Sequence, residues 1–281
     1  MGTLYVVATP IGNLEDVTLR ALRVLREADC VLAEDTRRTR ILLERHAIPA
    51  RPVSLHAHNE AARTAEVLSK LTGGASVALV SDAGTPLVSD PGERLVAAAA
   101  AAGHAVVPVP GPSAVLAALS VSGLPASAFT MLGFLPRRAS ARAALLCRFR
   151  TAPEPLVLFE APGRVAATLA ALRASLGDRS VCVARELTKL HEEIVRGPLS
   201  VLAQRFAAAP PRGEVTLVVA GASGADARDD ASQDDAALDR LISERVAEGR
   251  SARDVAAELA GTGRMRKREA YARALRARGG S

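Results

Sequence analysis

Between Val77 and Pro91 the chain reads V-A-L-V-S-D-A-G-T-P-L-V-S-D-P, an apolar run that gives way to a carboxylate, a glycine and two prolines. Ligands of open α/β sheets bind where strands end in this manner, and a glycine lets a ligand approach the main chain closely. Ser81–Pro86 is therefore expected to form one wall of a ligand cleft, the alternative being a plain strand-to-helix connection. Polar clusters recur after the other apolar runs: Glu34-Asp35-Thr36-Arg37, His56-Ala57-His58-Asn59-Glu60, Pro110-Gly111-Pro112-Ser113-Ala114, Glu160-Ala161-Pro162-Gly163 and the stretch from Arg185 to Glu193. Ser113 can cap a helix whose free amides seat an anionic or polar atom. Two histidines and a carboxylate within five residues raise the question of a metal. Without a third ligand at helical spacing, a polar strand end is expected and no metal site.

The elements that would position these clusters follow from periodicity. Runs at Leu4–Ala8, Cys30–Ala33, Pro52–Leu55, Val77–Val80 and Ala105–Val109 read as buried strands, and amphipathic stretches between them read as helices, including one from Asp90 to Ala102. This alternation predicts a parallel-sheet domain over residues 1–133. Another strand at Phe129–Leu132 leads into Gly133–Arg138, the expected junction with a second α/β domain over 134–222. Its strands are Leu156–Phe159, Val181–Ala184, Ile194–Gly197 and Val215–Ala220. Residues 223–235, with Asp226, Asp229, Asp230, Asp234 and Asp235, read as an acidic linker. A helical tail over 236–281 follows, in which seven basic residues and one acid occur between Arg264 and Arg278. A solvated amphipathic face accounts for that tail equally well.

Composition narrows the function classes. A chain of 281 residues has room for two domains with their own cores. With no Trp, two Tyr and five Phe, rows of exposed aromatics for base stacking are excluded, so any RNA contact must rest on Arg, Lys and His. The net charge of +6 suits an anionic partner. Cys30, Cys147 and Cys182 lie far apart, which indicates free thiols in a reducing compartment rather than a disulfide frame or zinc site. The apolar run from Leu4 to Ala8 is too short for a signal peptide or membrane span, so a cytoplasmic location is expected. The loop after the first strand lacks G-x-G-x-x-G, which disfavours an NAD-type dehydrogenase.

Five motifs stand in order along the chain: T-P-I-G-N (Thr9–Asn13), A-E-D-T-R (Ala33–Arg37), S-D-A-G-T-P (Ser81–Pro86), P-G-P-S-A (Pro110–Ala114) and L-G-F-L-P-R (Leu132–Arg137). With them the chain resembles the tetrapyrrole (corrin/porphyrin) methylase superfamily. Within it, the chain is similar to the branch that methylates the 2′-hydroxyl of a cytidine ribose in small-subunit (16S) ribosomal RNA. The resemblance implies two α/β domains with a cleft between them that binds S-adenosylmethionine, usually in a homodimer. It also implies cofactor contacts from Pro10, Ile11, Gly12, Asp82, Ala83, Gly84, Ser113, Ala114 and Glu160. Glu34–Arg37, His58-Asn59-Glu60, and Arg185-Glu186 with Lys189 would lie toward the RNA. The Pro-Ile-Gly-Asn loop replaces the glycine-rich first loop of the tetrapyrrole enzymes, which counts against a porphyrin or corrin substrate.

A ribose hydroxyl needs a proton acceptor before it attacks a methyl group. The candidates are Asp35, Glu34, Glu186 and Lys189, with Asp35 ranked first because it ends the second strand on the edge that carries the cofactor loops. Each acid could instead pair with Arg37 or Arg185. Phosphate contacts are expected from Arg37, Arg137 and Arg138 and from the tail residues Arg266, Lys267 and Arg268, with a salt-dependent affinity. Two rival readings are a small-molecule tetrapyrrole methylase and a noncatalytic RNA-binding assembly protein.

Overall fold

The computed structural model describes residues 2–223, 238–261 and 265–279. Two compact units divide the chain, Met1–Gly221 and Ala222–Ser281. The first contains two five-stranded sheets.

Strands β1 (Thr3–Val7), β2 (Cys30–Ala33), β3 (Pro52–Ser54), β4 (Ser76–Val80) and β5 (Ala105–Val109) are all parallel, in the order β3-β2-β4-β1-β5. Their side chains divide with a period of two, as a strand covered on both faces requires. Val31, Ala33, Ala78 and Val80 pack with Val24, Leu25, Leu42 and Leu43 of helices α1 (Leu19–Glu27) and α2 (Thr36–Arg45). Cys30, Leu32, Val77 and Leu79 pack on the other side, against Val67, Leu71 and Leu95 of α3 (Glu60–Thr72) and α4 (Glu93–Ala101). Because every strand is parallel, the polar loops after β1, β2 and β4 emerge at one edge. The loops after β1 and β4 are tied by paired main-chain bonds, Thr9 N to Gly84 O at 2.9 Å and Gly84 N to Thr9 O at 3.0 Å.

Helix α4 starts three residues later than its periodicity predicts. Asp90 accepts a hydrogen bond from Ser81 Oγ, Leu87 and Ser89 take φ of 72° and 70°, and Gly92 caps the helix at φ 121°. The stapled loop cannot continue helical geometry back to Asp90.

The second sheet is mixed. Strands β6 (Thr130–Phe134), β7 (Leu156–Glu160), β8 (Ser180–Arg185), β9 (Glu193–Pro198) and β10 (Val215–Val219) run in the order β6-β7-β10-β8-β9, with only β6 and β7 parallel. Helices α6 (Ala139–Cys147), α7 (Val165–Leu176) and α8 (Leu199–Ala208) cover one face with Leu146, Leu169, Leu172, Leu202 and Phe206. The other face is covered by α5 (Ala114–Ser122), whose Val115, Ala118 and Leu119 pack on Val157, Cys182 and Val218.

This arrangement corrects the boundary expected after residue 133. Gly133 lies inside β6, which pairs with β7, and the change of sheet occurs across α5. Local periodicity marks β6 as a strand but carries no information on which sheet it joins. The shared core at α5 joins the two lobes in a single unit.

The second unit comprises α9 (residues 238–247), α10 (Ala252–Gly261) and α11 (Lys267–Gly279). Ile242, Val255, Ala256, Leu259, Ala270 and Ala274 form its core. Of the expected linker, residues 224–235 and their five aspartates lie outside the described residues. No helix among the described residues is long and apolar enough to cross a membrane.

Candidate active site

A cavity of about 530 Å³ opens between the carboxyl edge of the first sheet and the second sheet. Its first wall comes from the loops after β1, β2 and β4 and the start of α5. Its second wall comes from the ends of β6 and β7, the end of β8 and the start of β10. The apolar lining, Ile11, Val88, Phe134, Phe159 and Leu187, faces a rim of carboxylates.

Gly84 stands at the centre of the first wall with φ of 92°, a region that side-chain-bearing residues rarely adopt. A Cβ there would lie 3.3 Å from Ile11 Cγ2, so glycine suits both the backbone conformation and the close packing on the first loop. Ser113 caps α5 by accepting from Leu116 N at 3.4 Å. Asp82 Oδ1 accepts from Asp35 N at 2.8 Å, which locks the end of β4 to the end of β2.

Of the residues expected to contact the cofactor, Ile11, Asp82, Ala83, Gly84, Ser113, Ala114 and Glu160 border the cavity. Pro10 and Gly12 do not. Pro10 is buried, and Gly12 instead lets the Leu187–Lys189 segment press against the first loop, where a Cβ would overlap Lys189 Cγ. Glu160 borders the cavity without offering its carboxylate. That side chain is fully buried and accepts from Thr168 Oγ1 at 2.5 Å and from Ala161 N at 2.8 Å, with Arg164 Nε 3.4 Å away.

The four proton-acceptor candidates separate sharply. Asp35 is the N-cap of α2, accepting from Arg37 N at 2.9 Å, and it grips the Arg37 guanidinium at 3.0 Å and 2.7 Å. The hydrogen bonds from Arg37 hold its pKa at about 2, so it is a weak base. Glu186 accepts from Lys189 Nζ at 2.9 Å and from Glu214 N at 2.9 Å, and these bonds lower its pKa. Gly213, at φ of 81°, leaves room for this carboxylate. Burial works against the charge of Lys189, but its hydrogen bonds to Glu186 and Glu214 outweigh it and raise the pKa, which keeps the amine protonated.

Glu34 is the exception. Among the described residues its carboxylate forms no hydrogen bond or ion pair. Partial burial, then the charges of Asp82 and Asp90, push its pKa up. Burial also raises Asp90, whose bond from Ser81 opposes the shift. A cap bound by arginine has little proton affinity left, whereas the unpaired Glu34 keeps its own.

The residues expected toward RNA are dispersed. The Arg37 guanidinium is exposed yet spent on Asp35. His58 is exposed, whereas the Asn59 side chain closes its own turn, accepting from His56 N at 2.8 Å and donating to Ser54 O at 3.2 Å. Arg185 donates to Glu193 at 2.6 Å and is mostly covered. Arg137 and Arg138 are exposed before α6, and Arg266, Lys267 and Arg268 are exposed on the second unit. Sequence reasoning missed Arg38, Glu214 and the Phe134–Phe159 pair, whose ring centroids are 5.8 Å apart, although all belong to the lining. Arg38 follows directly after A-E-D-T-R, and only the fold distinguishes it from Arg37.

Comparison with known proteins places this geometry in a lineage. A relative from Micromonospora olivasterospora named Ribosomal RNA small subunit methyltransferase I is 49% identical over 261 residues, covering 92% of this chain and 83% of that protein. The protein of the same name from Pseudomonas aeruginosa is 43% identical over 284 residues, covering 100% of this chain and 99% of its own length. Among solved structures, uroporphyrin-III C-methyl transferase from Thermus thermophilus, complexed with S-adenyl homocysteine, shares the fold. Its TM-score is 0.56 at 22% identity, with 78% of this chain and 97% of that one covered. Diphthine synthase shares it at a TM-score of 0.60 and 18% identity, covering 78% of this chain and 90% of its own. The model of the Tetrapyrrole (Corrin/Porphyrin) Methylases matches residues 3–203, and the chain belongs to that family.

Proposed function

We propose that this protein transfers the methyl group of S-adenosylmethionine to the 2′-hydroxyl of a cytidine ribose in small-subunit (16S) ribosomal RNA, with Glu34 as the proton acceptor. One observation carries the reading: a cavity bordered by the family's loops contains, among the described residues, a single carboxylate that is both unpaired and raised in proton affinity. The names and extensive identity of the relatives support ribosomal RNA of the small subunit as the substrate class.

The lining suits this cofactor. A sulfonium and an ammonium group are cationic, and Glu34, Asp82, Asp90 and Glu214 border the space. An adenine needs apolar walls, which Ile11, Leu187 and Phe159 provide. When bound, the cofactor supplies an already activated methyl group, so no metal is needed and positioning accounts for much of the rate. Glu34 accepts the hydroxyl proton. Asp82, pinned to the Asp35 amide, fixes the end of β2 on which Glu34 sits.

Arg137, Arg138, Arg266, Lys267 and Arg268 would supply phosphate contacts, the tail acting as an RNA-docking appendage of the two-lobed enzyme. The active species would be a cytoplasmic homodimer, for which sedimentation velocity should give twice 29.2 kDa.

The decisive test incubates the full chain with methyl-labelled S-adenosylmethionine and small ribosomal subunits from cells lacking this modification, followed by nucleoside analysis. Label in 2′-O-methylcytidine is expected. Label in a base or in an added porphyrin would overturn the reading, and RNA binding without label would indicate an assembly protein.

A further inference from the structure

The proposed reaction brings a polyanion to an acidic cavity. Its border carries the carboxylates of Glu34, Asp35, Asp82, Asp90 and Glu214, and Arg38 is the one cationic side chain there among the described residues. Some group must offset the repulsion at the point where the ribose enters.

Arg38 has the features of such a group. It occupies the first turn of α2, where the positive end of the helix disfavours a cation and where the capping carboxylate of Asp35 is taken by Arg37. Its guanidinium stands between the walls, with Nε 4.0 Å from Asp82 Oδ2 and a terminal nitrogen 3.8 Å from Glu214 Oε1. Both separations exceed the 2.7–2.9 Å of a charge-assisted hydrogen bond. Among the described residues Arg38 donates no hydrogen bond, and its side chain is 57% exposed. The neighbouring Arg37 is instead bound by Asp35 through two nitrogens.

We infer that Arg38 forks onto an RNA phosphate adjacent to the reacting ribose, exchanging its two loose carboxylate contacts for tight ones and thereby setting substrate position at the mouth of the cavity. A guanidinium whose donors are unspent matches the geometry of a phosphate, and a lysine does not reproduce that fork. The inference rests on the RNA-methylating reading given above.

The test measures binding of the full chain to unmethylated small subunits over a salt series, steady-state kinetics, and calorimetric affinity for S-adenosylmethionine, in wild type and in Arg38→Gln, Arg38→Lys and Arg37→Gln. Arg38→Gln should raise KM for the subunit by about 10- to 100-fold, the range for a lost hydrogen bond to a charged group. It should also flatten log K against log salt by about 0.7–0.9, one phosphate contact. Cofactor affinity should change by less than about twofold. Arg38→Lys should restore the salt slope while recovering only part of KM. Arg37→Gln should flatten the slope less than Arg38→Gln. An unchanged slope, with cofactor affinity lost instead, would make Arg38 a strut between the walls and overturn the inference. Because the salt slope is read from binding, it remains informative if wild type fails to label RNA, an outcome that would defeat the reading of function separately.

Discussion

The two walls of the cavity handle charge in opposite ways. On and behind the second wall the acids are tied: Glu160 to Thr168 and Ala161, Glu186 and Glu214 to Lys189, and Glu193 to Arg185 and Arg205. Their partners lie on the same sheet or its helices, and the Glu186 carboxyl falls below its ordinary range in consequence. On the first wall Glu34 and Asp90 stand near Asp82 with too few cations, and both rise. Paired charge fixes a shape, whereas unpaired charge keeps the proton affinity that a reaction can use. The contrast underlies the proposal that Glu34 of the first wall does the acid–base work and the second wall positions.

The largest effect should come from Glu34→Gln, which removes the unpaired carboxylate with little change in volume. Its kcat should fall by at least ~100-fold while calorimetric cofactor affinity stays close to wild type. Near-normal turnover would erase the distinction between the walls. Asp35→Ala should instead lower thermal stability by uncapping α2, with any loss of rate following from displacement of Glu34.

Next in size is Gly84→Ala. A residue with a Cβ at φ of 92° carries a backbone penalty of ~1–3 kcal/mol, and its methyl would press on Ile11. Cofactor affinity should weaken by about tenfold or more, and unaltered calorimetry would remove this loop from the binding wall. On the opposite wall, Thr168→Val deprives the buried Glu160 carboxylate of a donor. It should cost ~1–3 kcal/mol of stability, visible as a lower Tm, with the pH profile of kcat/KM unchanged.

The pH profile distinguishes the walls more finely. A base is lost as pH falls through its pKa, so a raised Glu34 places the acid limb of kcat/KM above the ordinary glutamate value of 4.5. Asp90→Asn removes one of the charges that raise it, and the limb should move to lower pH. A limb near 2 would point back to Asp35. The smallest effect is expected from Lys189→Met, with kcat lowered less than about tenfold and the acid limb in place. Abolished turnover in that variant would transfer the chemistry to the second wall.

Much of this architecture is legible along the chain. The apolar runs Cys30–Ala33 and Val77–Val80 are visible before folding, and so is Ser113 as a residue able to cap a helix. These signals are local, because side-chain period and capping depend on neighbours within a turn. The membership of β6 is not local. Thr130–Phe134 reads as a strand in either sheet, and only pairing with Leu156–Glu160 decides the matter.

The same division holds within the site. The chain alone determined that carboxylates, a glycine and a helix start would gather at the strand ends, because parallel strands must all finish at one edge. Which carboxylate keeps its proton affinity, and which of two adjacent arginines has donors to spare, was decided by tertiary structure. Asp82 reaches the Asp35 amide from 47 residues away, and Glu214 faces Arg38 from the other sheet. Electrostatic environment is a property of such neighbours, which no local pattern encodes.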